Sequence, residues 1–346
     1  MSFLRGTRAP APPTDDPLHC LAGGLDFGPG LQVAARSAAS ASRLVVPENQ
    51  DNVLLIDASG HAVHLCGQAP RRTRVAGWPA GHVRLAVLDG MGGHGHGRQA
   101  AEAVATGLLA VPACRTLAEL SSRLDALHAA LQARFRQPGD ADTFRRPGTT
   151  LTLLEIAPGQ APLLYHVGDS RLYQVTADMA VPLTIDHVPA TGYAMHGLLG
   201  AQEWWQQVHG EHRAQIAQAF ILGNALANPQ VLDDGLHALA PATLPPFLHP
   251  LADRRALALR PGALYLLATD GLWSCGQPLP WLARWPRLLA PGTACVGDAL
   301  ASLFDAWTGS PPPQLYIDNM TAIAIRFANE NIDQTALPHS ILTTFC

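Results

Sequence analysis

Short apolar runs rich in Val, Leu, Ile, Tyr and Phe recur along the chain, and seven of them read as β-strands. They are Val53 to Asp57, Val83 to Leu88, Thr149 to Ile156, Pro162 to Val167, Leu172 to Val175, Ala263 to Ala268 and Met320 to Phe327. Two stretches carry the helical period instead. Arg98 to Leu109 follows a glycine-rich turn, and Leu117 to Phe135 repeats leucine at 117, 120, 124, 127 and 131. Paired strands come before and after these helices rather than alternating with them. That order predicts an antiparallel α+β architecture over a doubly wound one.

The flanks and the middle differ in texture. Residues 1–23, with Ala9-Pro-Ala-Pro-Pro, and residues 328–346 read as tails, so the expected folded region is 24–327. Residues 188–248 have weaker strand character and proline breaks at Pro241 and Pro245-Pro246, which predicts an insertion or flap. The tandem Trp204-Trp205 in that region is expected to bury itself in a local core, with contact to a protein substrate as the minority alternative.

Composition narrows the class. A hydrophobic share of 48 % against a charged share of 14 % is a globular balance. A net charge of −4 offers no broad basic field for a phosphate backbone, which excludes nucleic acid as the expected partner. All 23 positive residues are arginine, so any side-chain grip on phosphate must use guanidinium groups. No run of 18 apolar residues occurs and no membrane insertion is expected; a cytoplasmic protein, acting as a monomer, is the expectation. Six cysteines lie far apart without a C-x-x-C pair, which argues for free thiols over a zinc or redox site.

The residues with chemical promise lie at strand ends. Leu85-Ala-Val-Leu-Asp89 runs into Gly-Met-Gly-Gly-His94-Gly-His96-Gly and then a helix. A carboxylate there is placed to hold a cation, with glycines letting backbone carbonyls approach, although Asp89 as a plain turn cap is equally compatible with this segment alone. Thr269-Asp270-Gly ends a second strand in the same way, and Asp318-Asn-Met-Thr321 opens the final one. Together, three such aspartates would make an oxygen-only site for Mn²⁺ or Mg²⁺.

At this point the chain resembles the type-2C metal-dependent protein serine/threonine phosphatase (PPM) family, in its bacterial branch. The resemblance rests on seven ordered motifs: Asn49-Gln50-Asp51, Asp89-Gly-Met-Gly-Gly-His94, Gly148-Thr-Thr150, Gly168-Asp169-Ser-Arg171, Leu183-Thr-Ile-Asp186-His187, Thr269-Asp270-Gly-Leu-Trp273 and Asp318-Asn-Met-Thr321. It implies a four-layer α-β-β-α sandwich, with two central antiparallel sheets flanked by helices and the metal site at one end. It also implies that Asp89, Asp270 and Asp318 hold one metal, and that Asp51, Asp89 and the Gly90 carbonyl hold a second. A third, weaker metal would sit at Asp169. The implied reaction is hydrolysis of phosphoserine or phosphothreonine by a hydroxide bridging two metals about 3.5–4 Å apart, without a phosphoenzyme. His94 is the implied proton donor to the leaving alkoxide. The implied partner is a phosphorylated protein, the product of a bacterial serine/threonine kinase that the phosphatase opposes.

One position departs from the family pattern. The arginine that usually grips substrate phosphate falls at Val46, and the replacements in reach are Arg43 and Arg98. The departure motivates a second reading, a catalytically weak phosphoprotein-binding regulatory module of the same fold. Installing Val46→Arg is expected to raise turnover or tighten phosphate binding in a steady-state assay. If neither changes while Arg43→Ala or Arg98→Ala lowers both, one of those arginines has taken over the grip.

Overall fold

The computed structural model describes residues 20–39, 48–91, 96–136, 146–211, 215–226, 228, 230–290, 295–316 and 318–328. Arg43, Val46, His94 and most of both expected tails lie outside them. The described chain starts earlier than a boundary at Gly24. Leu21 is fully buried, and its N–H donates to the Ala35 carbonyl.

Two antiparallel sheets form the centre. One has seven strands in the spatial order Arg254–Ala256, Leu163–Val167, Leu151–Ile156, Val83–Leu88, Asn52–Ile56, His61–Cys66 and Ala69–Arg74. The other has five, in the order Leu31–Ala38, Met320–Phe327, Leu264–Ala268, Arg171–Val175 and Ala180–Pro182. All seven runs expected to be strands contain strands, the run from Thr149 to Ile156 being divided at Thr150 into a short pairing with Gly90–Met91 and the strand Leu151–Ile156.

The continuous apolar character of the central strands follows from burial on both faces. Val53, Leu55, Leu85 and Val87 point into the layer between the sheets, where they meet Tyr265, Leu267, Ile323 and Ile325. Their alternates Leu54, Ile56, Ala86 and Leu88 pack instead against the helices His96–Ala110 and Leu117–Phe135 through Ala100, Val104, Leu108, Leu120 and Leu124. On the far side of the five-stranded sheet, Leu264, Leu266, Ala322 and Ala324 meet the helix Val296–Gly309 through Ala299, Leu300, Leu303 and Trp307. The four layers are therefore helix, sheet, sheet, helix.

Residues 188–248 contribute most of a small core around the fully buried Trp204, with Leu226, Leu239 and Leu248, completed by Ile185 and Leu251 on either side. The Trp204 indole N–H donates to Thr191 Oγ1 at 3.1 Å. The expectation that the tandem tryptophans are core residues holds for Trp204.

The end of the sandwich away from the glycine turn is locked by one buried arginine. Arg84 interrupts an apolar strand, yet its guanidinium binds both Glu155 oxygens at 2.6 and 2.9 Å. It also donates to the Leu108, Val111 and Pro112 carbonyls, the first of which lies in the last turn of the helix His96–Ala110 and lacks a partner within it. Arg84→Leu leaves the buried Glu155 carboxylate with only His82 and the Cys114 N–H, strands these carbonyls, and is expected to cost roughly 3–5 kcal/mol of stability. Urea unfolding followed by circular dichroism measures that loss, and a midpoint within error of the wild type would contradict it.

Candidate metal centre

Sheet register decides which strand ends meet. Asn52 pairs with Leu88, so Asp51 and Asp89 leave the seven-stranded sheet at the same end. Ala268 pairs with Ala322, so Asp270 and Asp318 leave the five-stranded sheet together. Asp169 lies in the short link that crosses from Leu163–Val167 of one sheet to Arg171–Val175 of the other.

Hydrogen bonds sew the two sheets together at this end. Thr269 Oγ1 donates to Asp51 Oδ2 at 2.7 Å, and the Gln50 N–H donates to Asn319 Oδ1 at 2.8 Å. Asn49 reaches the Ser37 hydroxyl at 2.9 Å, and Ser37 meets the Thr321 hydroxyl at 2.8 Å. Asp89 is fixed through its backbone: its N–H donates to Thr150 Oγ1, and its carbonyl accepts from the Thr150 N–H, both at 2.9 Å.

Gly90 and Gly97, on either side of the glycine-dense turn, are required by close backbone approach. A Cβ on Gly90 would fall 2.3 Å from the Gly97 carbonyl oxygen and 2.5 Å from that of Gln50. No side chain fits there, because backbone from the first motif, the Asp89 strand end and the helix start all converge.

The aspartates sit close enough to feel one another. Asp51 and Asp270 are buried, Asp89 and Asp169 are half-buried, and Asp318 stands at the exposed rim. Burial raises the Asp89 carboxyl well above the ordinary carboxylate range, and Asp51, Asp270, Asp318 and Asp169 push it further. Burial likewise raises Asp51, reinforced by Asp318 and Asp270. Asp169 is raised by burial and then by Asp270 and Asp186. Burial, then Asp318, takes Asp270 to about 7.

Among the described residues, no three acidic, imidazole or thiol groups close on one point as a finished cation cage. The donor set nonetheless fits hard divalent cations. It is all oxygen, and it concentrates negative charge where burial opposes that charge.

Two arginines near this end are held by carboxylates. The Arg98 guanidinium binds Glu48 and, at 2.9 Å, Glu102. Arg171, to which motif reading alone attached no role, is buried beside the aspartates. It binds both oxygens of Asp186 at 2.7–3.1 Å, donates to the Tyr173 hydroxyl and the Val208 carbonyl, and stacks 4.7 Å from the Trp273 ring centroid. Its charge opposes the upward shifts of Asp169 and Asp270. The signal was its fixed place two residues after Asp169. His187 is fully buried and clamps the Gly168 backbone: its N–H donates to the Gly168 carbonyl at 2.8 Å, and its Nδ1 accepts from the Gly168 N–H at 3.3 Å. A pocket of about 190 Å³ opens between the flap and the aspartates, lined by Asp169, Asp270, Trp273, Tyr193, Gln207 and Glu211.

The fold is that of solved bacterial serine/threonine phosphatases of the PPM type, and over about a third of the chain the sequence is similar to a bacterial protein phosphatase. No protein-family model matches the chain. The protein phosphatase PhpP of Streptococcus pneumoniae is 30% identical over 118 residues, which are 31% of this chain and 45% of PhpP. The matched region thus spans just under half the length of that relative. The serine/threonine phosphatase PstP/Ppp of Mycobacterium tuberculosis has a TM-score of 0.52 at 23% identity, covering 86% of this chain and 99% of its own. The catalytic domain of PstP solved in complex with two manganese ions has a TM-score of 0.52 at 22% identity, covering 87% of this chain and 99% of its own.

Raised carboxyls have a consequence for stability. A carboxyl whose folded pKa lies above its unfolded value favours the fold while protonated. That contribution is complete below about pH 4, where both states are protonated, and is lost as pH rises through the folded value near 7 for Asp270. Metal-stripped protein is therefore expected to melt at lower temperature at pH 7.5 than at pH 5, with Asp270→Asn flattening the slope and Mn²⁺ restoring stability at the higher pH. Thermal melts with EDTA or Mn²⁺ across this range check it, and a pH-independent midpoint would contradict it.

Proposed function

We propose that this chain is a phosphoserine/phosphothreonine protein phosphatase that depends on Mn²⁺ or Mg²⁺. The observation that carries the reading is the convergence of Asp51, Asp89, Asp169, Asp270 and Asp318 at one end of a PPM-type sandwich, from two sheets whose registers agree. Asp89, Asp270 and Asp318 would hold one cation, Asp51, Asp89 and the Gly90 carbonyl a second, and Asp169 a third and weaker one. When bound, such cations acidify water and neutralise phosphoryl charge, the two requirements of phosphate ester hydrolysis.

The chain's own residues supply the remainder. Thr269 fixes the Asp51 carboxylate, Thr150 fixes the Asp89 backbone, and Arg171 limits the repulsion between Asp169 and Asp270 without leaving its Asp186 partner. His94 is proposed to protonate the leaving alkoxide, and Arg43 or Arg98 to grip phosphate. The physiological substrate is proposed to be a protein phosphorylated by a bacterial serine/threonine kinase in the cytoplasm. No helix of the described residues is long and apolar enough to cross a membrane.

A weakly catalytic phosphoprotein-binding module is the second reading. It is favoured by the engagement of Arg98 with Glu48 and Glu102. Turnover separates the two. Under the first reading, an aryl phosphate and a phosphothreonine peptide are hydrolysed with Mn²⁺ and not with EDTA. Asp89→Asn and Asp270→Asn each lower kcat by roughly a hundredfold or more, as expected when a cation worth several kcal/mol is lost. Under the second, phosphopeptide binds while turnover stays at background in millimolar Mn²⁺. Full activity in either Asn variant would overturn the ligand assignment.

A further inference from the structure

The outer strand Ala69–Arg74 of the seven-stranded sheet carries three arginines in four residues, on a chain whose net charge is −4. It pairs only with His61–Cys66, so its other edge is unpaired among the described residues. Arg71, Arg72 and Arg74 are exposed, and among the described residues none forms an ion pair. Register distributes them over both faces: Arg71 lies opposite His64, whereas Arg72 and Arg74 lie opposite Val63 and His61. An extended chain lying along the edge would meet positive charge from both sides.

The strand also leads to the metal end. Its turn, Gly67–Gln68, accepts the Asn49 N–H on Gln68 Oε1 at 2.7 Å and donates the Gly67 N–H to Glu102 Oε1 at 2.8 Å. The same turn therefore touches the Asp51 motif and the helix that follows Asp89. Arg71 is level with Leu54 through His64, three residues along from Asp51 and two strands across. With about 3.3 Å per residue and 4.8 Å per strand, the separation is about 14 Å, or four to five residues of extended chain. Beyond the strand, an open cleft of about 460 Å³ continues the track, lined by Thr73, Arg74, Val75, Trp78, Leu109 and Val111.

We propose that Ala69–Arg74 is a docking rail for an acidic, extended segment of the phosphoprotein substrate, with its carboxylates beginning about five residues from the phosphorylated side chain. The proposal rests on the phosphatase reading for its substrate, and on the unpaired arginines for its charge preference. Charged edge strands also serve simply to block edge-to-edge association, and that role predicts no preference for acidic peptides. Charge pairing across such a surface acts mainly on encounter and apparent affinity, and weakens with salt.

The test is fluorescence anisotropy with the full chain and a fluorescein-labelled, unphosphorylated peptide of alternating Asp and Glu, beside its Asn/Gln counterpart. The acidic peptide is expected to bind at least about tenfold more tightly, the equivalent of about 1.4 kcal/mol. That margin should vanish in the Arg71→Gln/Arg72→Gln/Arg74→Gln triple variant, survive in the corresponding Lys triple variant, and shrink as salt rises from 50 to 300 mM. Equal affinity for the two peptides, or a margin unchanged in the Gln variant, would overturn the rail. Loss of the margin in both triple variants together with a lowered thermal midpoint would also count against it, since charge would not then be the determinant. Aryl phosphate hydrolysis, measured on the same samples, is expected to be unchanged. Its absence in the wild type would defeat the phosphatase reading while leaving the peptide comparison decisive for the rail.

Discussion

The structure depends on holding several carboxylates of like charge at one end of a β-sandwich. Two such charges 4 Å apart repel by about 4 kcal/mol at an effective dielectric near 20, and burial adds a desolvation cost for each. The upward shifts of Asp51, Asp89, Asp169 and Asp270 express that conflict. Register makes it unavoidable, since Asn52 with Leu88 and Ala268 with Ala322 leave the chain no other place for these side chains. Inside the protein, the Thr269 hydroxyl on Asp51 and the charge of Arg171 near Asp169 and Asp270 relieve part of it.

Each relieving group is itself immobilised. Arg171 is held by Asp186, Tyr173, Val208 and the Trp273 ring, so strand, flap and the Asp270 turn share one guanidinium. Through Val208 the small core around Trp204 is tied to the same strand that follows Asp169. At the opposite end Arg84 plays a purely structural counterpart, joining Glu155 to the end of the helix His96–Ala110. The helix is thus fixed at its start by the Gly90–Gly97 approach and at its finish by Arg84.

What could be read from the sequence was whatever burial imprints on residue type. Strands such as Leu264–Ala268, and Val83–Leu88 apart from Arg84, are buried on both faces, so they are apolar and stand out. Ala69–Arg74 left no such imprint because both of its faces meet solvent. Leu31–Ala38 mixes Gln, Arg and Ser with small residues, and its pairing with Met320–Phe327 shows only in three dimensions. The helix Val296–Gly309 was readable in principle, since its buried residues at 296, 299, 300, 303, 304 and 307 follow the helical period. At the site, the strand-end aspartates were evident as motifs and their convergence is structural. The bond from Arg98 to Glu102 is an i,i+4 pair within the expected helix, whereas that to Glu48 could not be foreseen, because Glu48 lies fifty residues away in sequence.

The proposed role of this carboxylate cluster is to be neutralised by divalent cations. Isothermal titration of the metal-stripped chain with Mn²⁺, repeated near pH 6.5 in buffers of different ionisation enthalpy, tests it most directly, because it counts ions and released protons together. The account predicts at least two ions bound per chain with net proton release, and loss of one or more of them in Asp89→Asn. Binding of no Mn²⁺, or binding unaffected by Asp89→Asn, would contradict it.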